Sequence, residues 1–114
     1  MAEPPSGTVT LLFSDIEGST RLLQRTGDAY ADLLAEHRRL LGEAFEHHNG
    51  FHVDSEGDAF FVAFASAGDA ASAAAEAQLA LAGHPWPEET EIRVRMGLHS
   101  GEPRVIERRY VGLD

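Results

Sequence analysis

The sequence contains no cysteine. That excludes disulfide staples and thiolate metal centres, and it makes a reducing compartment the expected home. Long apolar runs are missing too, so no stretch is fit to span a bilayer. Residues 1–7 are polar and proline-bearing and lack the apolar centre of a secretory leader. The expectation is a cytoplasmic chain with no membrane partner in this segment. Basic residues are scarce: nine Lys+Arg stand against nineteen Asp+Glu, for a net charge of −10. Nucleic-acid-binding proteins release counterions with their own cations, so this balance argues against a nucleic-acid partner. It does not argue against nucleotides, because a divalent cation can stand between carboxylates and phosphates.

What is present in ordinary measure is apolar: 43% of 114 residues, enough for one domain with a core of its own. Thr8-Val9-Thr10-Leu11-Leu12-Phe13 is β-branched and apolar and predicts a central strand. Residues 19–24 predict a short helix closed by Gly27. Tyr30, Leu33, Leu34, His37, Leu40, Leu41, Ala44 and Phe45 then recur at three- and four-residue spacing. They form one stripe on a long helix over 28–48, with Asp28 as its expected N-cap and Gly50 just past its end. An extended segment over 51–55, a tight turn at Glu56-Gly57-Asp58 and a buried strand over 59–64 make a hairpin. Ser66-Ala67-Gly68-Asp69 opens an alanine-rich helix with an S-x-x-D cap, ending near Gly83 before Pro85 and Pro87. Ile92, Val94, Met96 and Leu98 alternate with polar residues or glycine, predicting a half-buried strand. Ser100-Gly101-Glu102-Pro103 is expected to turn the chain, and Val105-Ile106 with Tyr110-Val111 to form a last ribbon.

The order strand, helix, strand, strand, helix, strand predicts an α+β, ferredoxin-like sheet with helices on one face. Tyr110, Val111 and Leu113 stand at the very end with nothing after them to pack against. Residues 8–114 are therefore expected to be part of a longer domain, truncated at its C-terminus, behind a flexible segment over 1–7.

One stretch asks for more than a fold. "LLFSDIEGST", residues 11–20, runs a core strand into Asp15 and then into Glu17-Gly18-Ser19-Thr20 at a helix start. Helix starts present free N–H groups that favour phosphate, although Ser19 or Thr20 could also merely cap the helix and Asp15 merely close a turn. Asp58 sits at the hairpin tip, where acids are common for turn reasons alone. Taken together the two say more. In a β-α-β-β unit the strand carrying Asp15 and the hairpin carrying Asp58 can be sheet neighbours, bringing both carboxylates to one end. Two carboxylates with few further protein ligands suit Mg²⁺ or Mn²⁺, which keep waters and take remaining ligands from phosphates. Two such ions could activate an attacking oxygen and stabilise departing pyrophosphate. Other candidates are weaker. His47, His48 and His52 lack metal-ligand spacing on one helical face and suit a solvated helix end. His37, on the apolar stripe, is expected to be a hydrogen-bonded packing residue. Arg93, Arg95, Arg104, Arg108 and Arg109 are the basic cluster, fitting a solvated strand face or a nucleotide or partner contact.

"TLLFSDIEGSTRLLQ", "SEGDAFFVAF", "RVRMGLHSGEP" and "YVGLD" stand in the order and spacing of the class III adenylate/guanylate cyclase catalytic domain. From Thr8 onward the chain resembles the bacterial branch of that family. The resemblance implies two metal ions held by Asp15, Asp58 and the backbone carbonyl of Ile16. It implies a triphosphate-holding turn at Glu17, Gly18, Ser19 and Thr20, and a head-to-tail homodimer with the site at its interface. The implied reaction is attack of the ribose 3′-oxygen of ATP or GTP on the α-phosphate, releasing pyrophosphate and a cyclic nucleotide for intracellular signalling.

Three departures qualify the implied chemistry. Relatives that use ATP commonly carry a base-reading lysine four residues before the second metal aspartate, where this chain has Asp54. Arg109 stands where a polar or acidic base-reading partner is usual. Lysine donates and aspartate accepts, so the usual purine readout cannot operate, and nucleotide choice stays open. Relatives also continue into a helix bearing a ribose-orienting asparagine and a charge-stabilising arginine, and this sequence stops at Asp114 before either. Loss of such an arginine costs on the order of 10³ in rate, so the expectation for these 114 residues alone is near-inactivity. Two alternatives remain: a non-catalytic, nucleotide-binding or dimerising module that regulates an attached domain, and, more distantly, a polymerase-like palm.

Overall fold

Four strands and two long helices form the body of the chain. The computed structural model describes residues 4–87 and 90–102, and the backbone of 104–106 and 109–111. Strand β1 (Val9–Ile16) leads into helix α1 (Ser19–Thr26). A 3-10 turn over Gly27–Ala29 joins it to α2 (Tyr30–His47). The hairpin β2 (Phe51–Glu56) and β3 (Ala59–Phe64) follows, then α3 (Ala67–Gly83) and β4 (Val94–Gly101). All pairings are antiparallel and the sheet order is β2-β3-β1-β4, the ferredoxin-like arrangement expected from the element order. A two-stranded ribbon, β5 (Arg104–Ile106) with β6 (Arg109–Val111), stands as a second sheet.

β1 is central because its residues are apolar on both sides. Leu12 and Ile16 join Leu22 of α1, Leu33, Leu41 and Phe45 of α2, and Phe60, Val62 and Phe64 of β3 in the main core. Val9 and Leu11 point the other way and form a smaller cluster with Ala63, flanked by Phe51, Val53 and Phe61. A strand buried on both faces carries apolar side chains on both rather than alternating, as Val9, Leu11 and Leu12 do here, while buried Thr10 is satisfied by the Ser100 hydroxyl at 2.7 Å. Each large side chain buried there stabilises the fold by about 1.5–3 kcal/mol. Ala70, Ala73 and Ala77 bring α3 close to the sheet, and Leu81 continues the same face. The Ser66 cap forms as expected, its Oγ accepting from the Asp69 N–H at 3.1 Å.

Three local expectations are corrected. Asp28 does not cap α2: it lies inside the 3-10 turn, Ala29 holds the N-cap position in helical conformation, and no side chain caps that end. β4 runs on through Ser100 and Gly101, pairing with Thr10 and Val9, so the expected turn there is strand. β4 is an edge strand, so its apolar face fades along its length: Val94 is buried while Leu98 is 47% exposed. His37 is fully buried, yet neither ring nitrogen makes a hydrogen bond of good geometry, although the Leu34 carbonyl acts on the ring. The helix end carrying His47 and His48 is solvated as expected, His47 being exposed, and the two imidazoles also share a partner. Glu76 of α3 binds both, at 2.7 Å to His47 Nδ1 and 3.0 Å to His48 Nε2. Beyond them Asn49 takes the left-handed conformation (φ 62°), and Gly50 passes too close to the core for any side chain.

Candidate active site

The C-terminal end of β1 and the β2–β3 turn meet. Ile16 donates its backbone N–H to Asp58 Oδ2 at 2.6 Å, tying the hairpin tip to the strand that carries Asp15. This follows from the register: β3 pairs with β1 up to Ser14↔Phe60, so the two residues before Phe60 reach beside Asp15 and Ile16. On the other side of β1, Asp15 is the register partner of Arg95 in β4. The guanidinium grips the carboxylate with two bonds, Nε to Oδ1 at 2.8 Å and Nη2 to Oδ2 at 3.0 Å. That bond, together with the Asp15 charge, raises the Arg95 pKa, and Asp58 adds to the effect. Both carboxylates thus act on one guanidinium.

A cavity of about 490 Å³ opens here, lined by Asp15, Ile16, Gly18, Ser19, Thr20, Arg21, Asp58, Ala59 and Arg95. Gly18 is the N-cap of α1 in the left-handed conformation (φ 66°), and no side chain caps the helix. The capping reading of Ser19 and Thr20 therefore fails, and both residues line the cavity from the first helical turn. The Glu17 N–H bonds to the Arg93 carbonyl at 2.7 Å, pinning the turn to the segment before β4. Glu17 is exposed and lines a neighbouring cavity with Arg21, Arg25 and Arg93 instead.

The sequence profile of the adenylate and guanylate cyclase catalytic domain matches residues 1–110. The chain belongs to that family. An uncharacterised protein of Mycobacterium tuberculosis is 40% identical over 112 residues, 96% of this chain but 36% of that protein. This chain thus spans about a third of the length of that mycobacterial relative. An adenylate cyclase of Lachancea kluyveri is 34% identical over 119 residues, covering 88% of this chain and 6% of the yeast protein. Among solved structures, an adenylate cyclase from Trypanosoma brucei in its monomeric state superposes with a TM-score of 0.84 at 26% identity, covering 98% of this chain and 67% of that one.

Against the cyclase pattern, Asp15, Ile16, Gly18, Ser19, Thr20 and Asp58 come together, whereas Asp54 lies apart. It is exposed on β2 beside a bulge, its Oδ1 accepting from the Ser55 N–H at 2.8 Å, and it lines a separate small cavity with Phe13, Phe60 and Phe61. The Arg109 side chain, and with it an Asp54–Arg109 pairing, lies outside the described residues. Two site residues were not singled out by sequence reasoning. Arg95 was one of five arginines in the basic cluster, and only the β1–β4 register selects it. Arg21 had a local signal, since it follows Ser19-Thr20 in the same helical turn. The chain has no lysine, so the cations of the cavity are arginines.

The donor chemistry suits a hard divalent cation of the kind cyclases generally use. Two carboxylates and one backbone carbonyl provide oxygen ligands in small number, leaving room for water and phosphate, as Mg²⁺ and Mn²⁺ require. Among the described residues no cluster of three or more His, Cys, Asp and Glu could hold a metal by itself. No described helix is long and apolar enough to cross a membrane.

Proposed function

We propose that residues 8–114 supply the metal- and phosphate-binding portion of a nucleotide cyclase site that converts ATP or GTP to the 3′,5′-cyclic monophosphate and pyrophosphate. The observation that carries this reading is the 2.6 Å bond from Ile16 N–H to Asp58, which sets the second carboxylate beside the strand end bearing Asp15. Asp15, Asp58 and the Ile16 carbonyl would hold two Mg²⁺ or Mn²⁺ ions. When bound, these ions supply Lewis-acid stabilisation of the attacking and leaving oxygens.

The protein's own part is placement and charge. Gly18, Ser19 and Thr20 offer backbone N–H and hydroxyl donors at a helix start, where phosphate oxygens are favoured. Arg95 neutralises Asp15 in the ligand-free chain. A cation taking that carboxylate would release the guanidinium, a pre-placed fork for phosphate oxygens. Arg21 faces the same cavity. Phe13, 45% exposed and stacked on Phe61 at 4.5 Å, presents an apolar patch on the sheet face away from the helices. A second copy of the chain, head to tail, would cover it. We place the protein in the cytoplasm.

A specific observation favours a second reading, a nucleotide-binding or dimerising module without turnover. Asp54, an acceptor, stands at the expected base-reading position and is engaged with the Ser55 backbone N–H.

The test is a calorimetric Mn²⁺ titration of the folded chain, with and without a non-cyclisable ATP or GTP analogue, alongside Asp15→Asn and Asp58→Asn. Nucleotide-enhanced Mn²⁺ binding that both substitutions abolish supports the site. Binding that survives both would refute it, and cyclic product in a turnover assay of the completed domain separates the first reading from the second.

A further inference from the structure

We propose that Arg38 is a positioning residue for Asp58, which from α2, outside the cavity, sets where the Asp58 carboxylate points. The inference rests on Asp58 being a metal ligand. The β2–β3 connection is a two-residue loop, Gly57-Asp58, closed by the pair Glu56↔Ala59, with Gly57 in the left-handed region (φ 57°). Such a loop projects from the sheet, and its own backbone pairing does not fix the tilt of its tip. Here it is held from two sides. β1 holds the carboxylate through the Ile16 N–H. α2 holds the neighbouring peptide, because Arg38 Nη2 donates to the Gly57 carbonyl.

The base of Arg38 is itself well anchored. It follows His37, which is fully buried with its ring edge-on to Phe60, two residues beyond Asp58. Arg38 and Asp58 also act electrostatically on the same two neighbours, Tyr30 and His37, which places both charges around one end of α2. A guanidinium there should disfavour a metal cation if only its charge mattered. Its two effects on metal affinity therefore have opposite signs: the hydrogen bond raises affinity by ordering the ligand, and the charge lowers it. Residues behind metal ligands commonly change affinity by about tenfold or more.

The experiment titrates the whole chain with Mn²⁺ alone, reading free Mn²⁺ by electron paramagnetic resonance, for wild type, Arg38→Ala, Arg38→Lys and Asp58→Asn. Amide exchange at residues 57–59 is followed in the metal-free proteins. Arg38→Ala is expected to weaken Mn²⁺ binding about tenfold and to speed exchange in the loop. Arg38→Lys, which keeps a donor and the charge, is expected to bind about threefold more tightly than Arg38→Ala. Unchanged or tighter binding by Arg38→Ala, equal binding by the Lys and Ala variants, or unchanged loop exchange each overturns the proposal while Asp58→Asn still abolishes binding. Wild-type binding by Asp58→Asn instead shows that the metal reading failed, and the positioning role falls with it.

Discussion

Replacing His37 with leucine should make this protein more stable, although it removes a wholly buried core residue. The imidazole is fully buried and neither ring nitrogen makes a hydrogen bond of good geometry, the Leu34 carbonyl one turn back in α2 offering only a strained contact. An unpartnered buried polar atom costs about 1–3 kcal/mol, so the two together cost about 2–6 kcal/mol. Against that, leucine loses the edge-on contact with Phe60 (centroids 6.0 Å apart), worth about 1 kcal/mol, and fits the site imperfectly for about another. The net gain is about 0–4 kcal/mol, or some 4 °C in Tm per kcal/mol for a chain of this length.

The same site predicts a pH dependence. Burial lowers the His37 pKa below its ordinary 6.5, an effect opposed by the Leu34 backbone carbonyl and the nearby Asp58 and reinforced by Arg38. Below about pH 6.5 the unfolded imidazole takes up a proton that the folded one refuses. Stability should therefore fall as pH drops from there towards the lowered folded value. His37→Leu should flatten that slope as well as raise the plateau. The measurement is urea denaturation of both proteins at pH 7.5 and pH 5.5. Equal or lower stability of the leucine variant at pH 7.5 would mean that the ring is satisfied, for instance by an enclosed water, and the reasoning would be refuted.

Gly50→Ala should lower stability by about 1–3 kcal/mol, because an added Cβ would stand 2.9 Å from the Phe45 carbonyl oxygen and from Val62 Cγ1. Gly42→Ala, in α2 with open space around it, should instead raise stability by about 1 kcal/mol, and thermal unfolding of the pair decides whether close approach or mere helix propensity governs these sites. Glu76→Gln removes the carboxylate whose hydrogen bond raises the His47 pKa. The stabilisation from that pair is present below the unfolded histidine pKa and lost as pH rises through the raised folded value. In the variant the NMR titration midpoint of His47 should move down, and an unmoved midpoint would show that the two helices are not joined there.

Much of the fold was legible because it rests on local periodicity. The β-branched and apolar residues over 9–13, the heptad-like stripe over 30–45 and the Ser66 cap each specify their own element, and their order restricts the sheet to few topologies. What failed did so where a neighbour outweighed a local signal. Asp28 reads as a cap in isolation, but the tight connection between α1 and α2 absorbs it into a 3-10 turn. Ser100 and Gly101 read as a turn, but β1 is long enough to carry β4 to Gly101. His47 is solvent-facing as read, but Glu76, the partner it shares with His48, is 28 or more residues away on another helix and leaves no local signal.

The candidate site divides along the same line. The sequence by itself determined which residue types are available, because a strand ending in aspartate, a glycine-led helix start and an acidic hairpin tip are written in consecutive residues. It could not determine which of nine basic residues meets Asp15, or that the hairpin tip is gripped by Ile16 on one side and Arg38 on the other. Those choices belong to strand register and helix packing, in which residues 42 and 80 positions apart become neighbours. A slip of one residue in the β1–β4 pairing would turn Arg95 to the opposite sheet face and leave Asp15 without its partner. Register is set by the burial of whole strands, a property of the assembled core rather than of any stretch of chain.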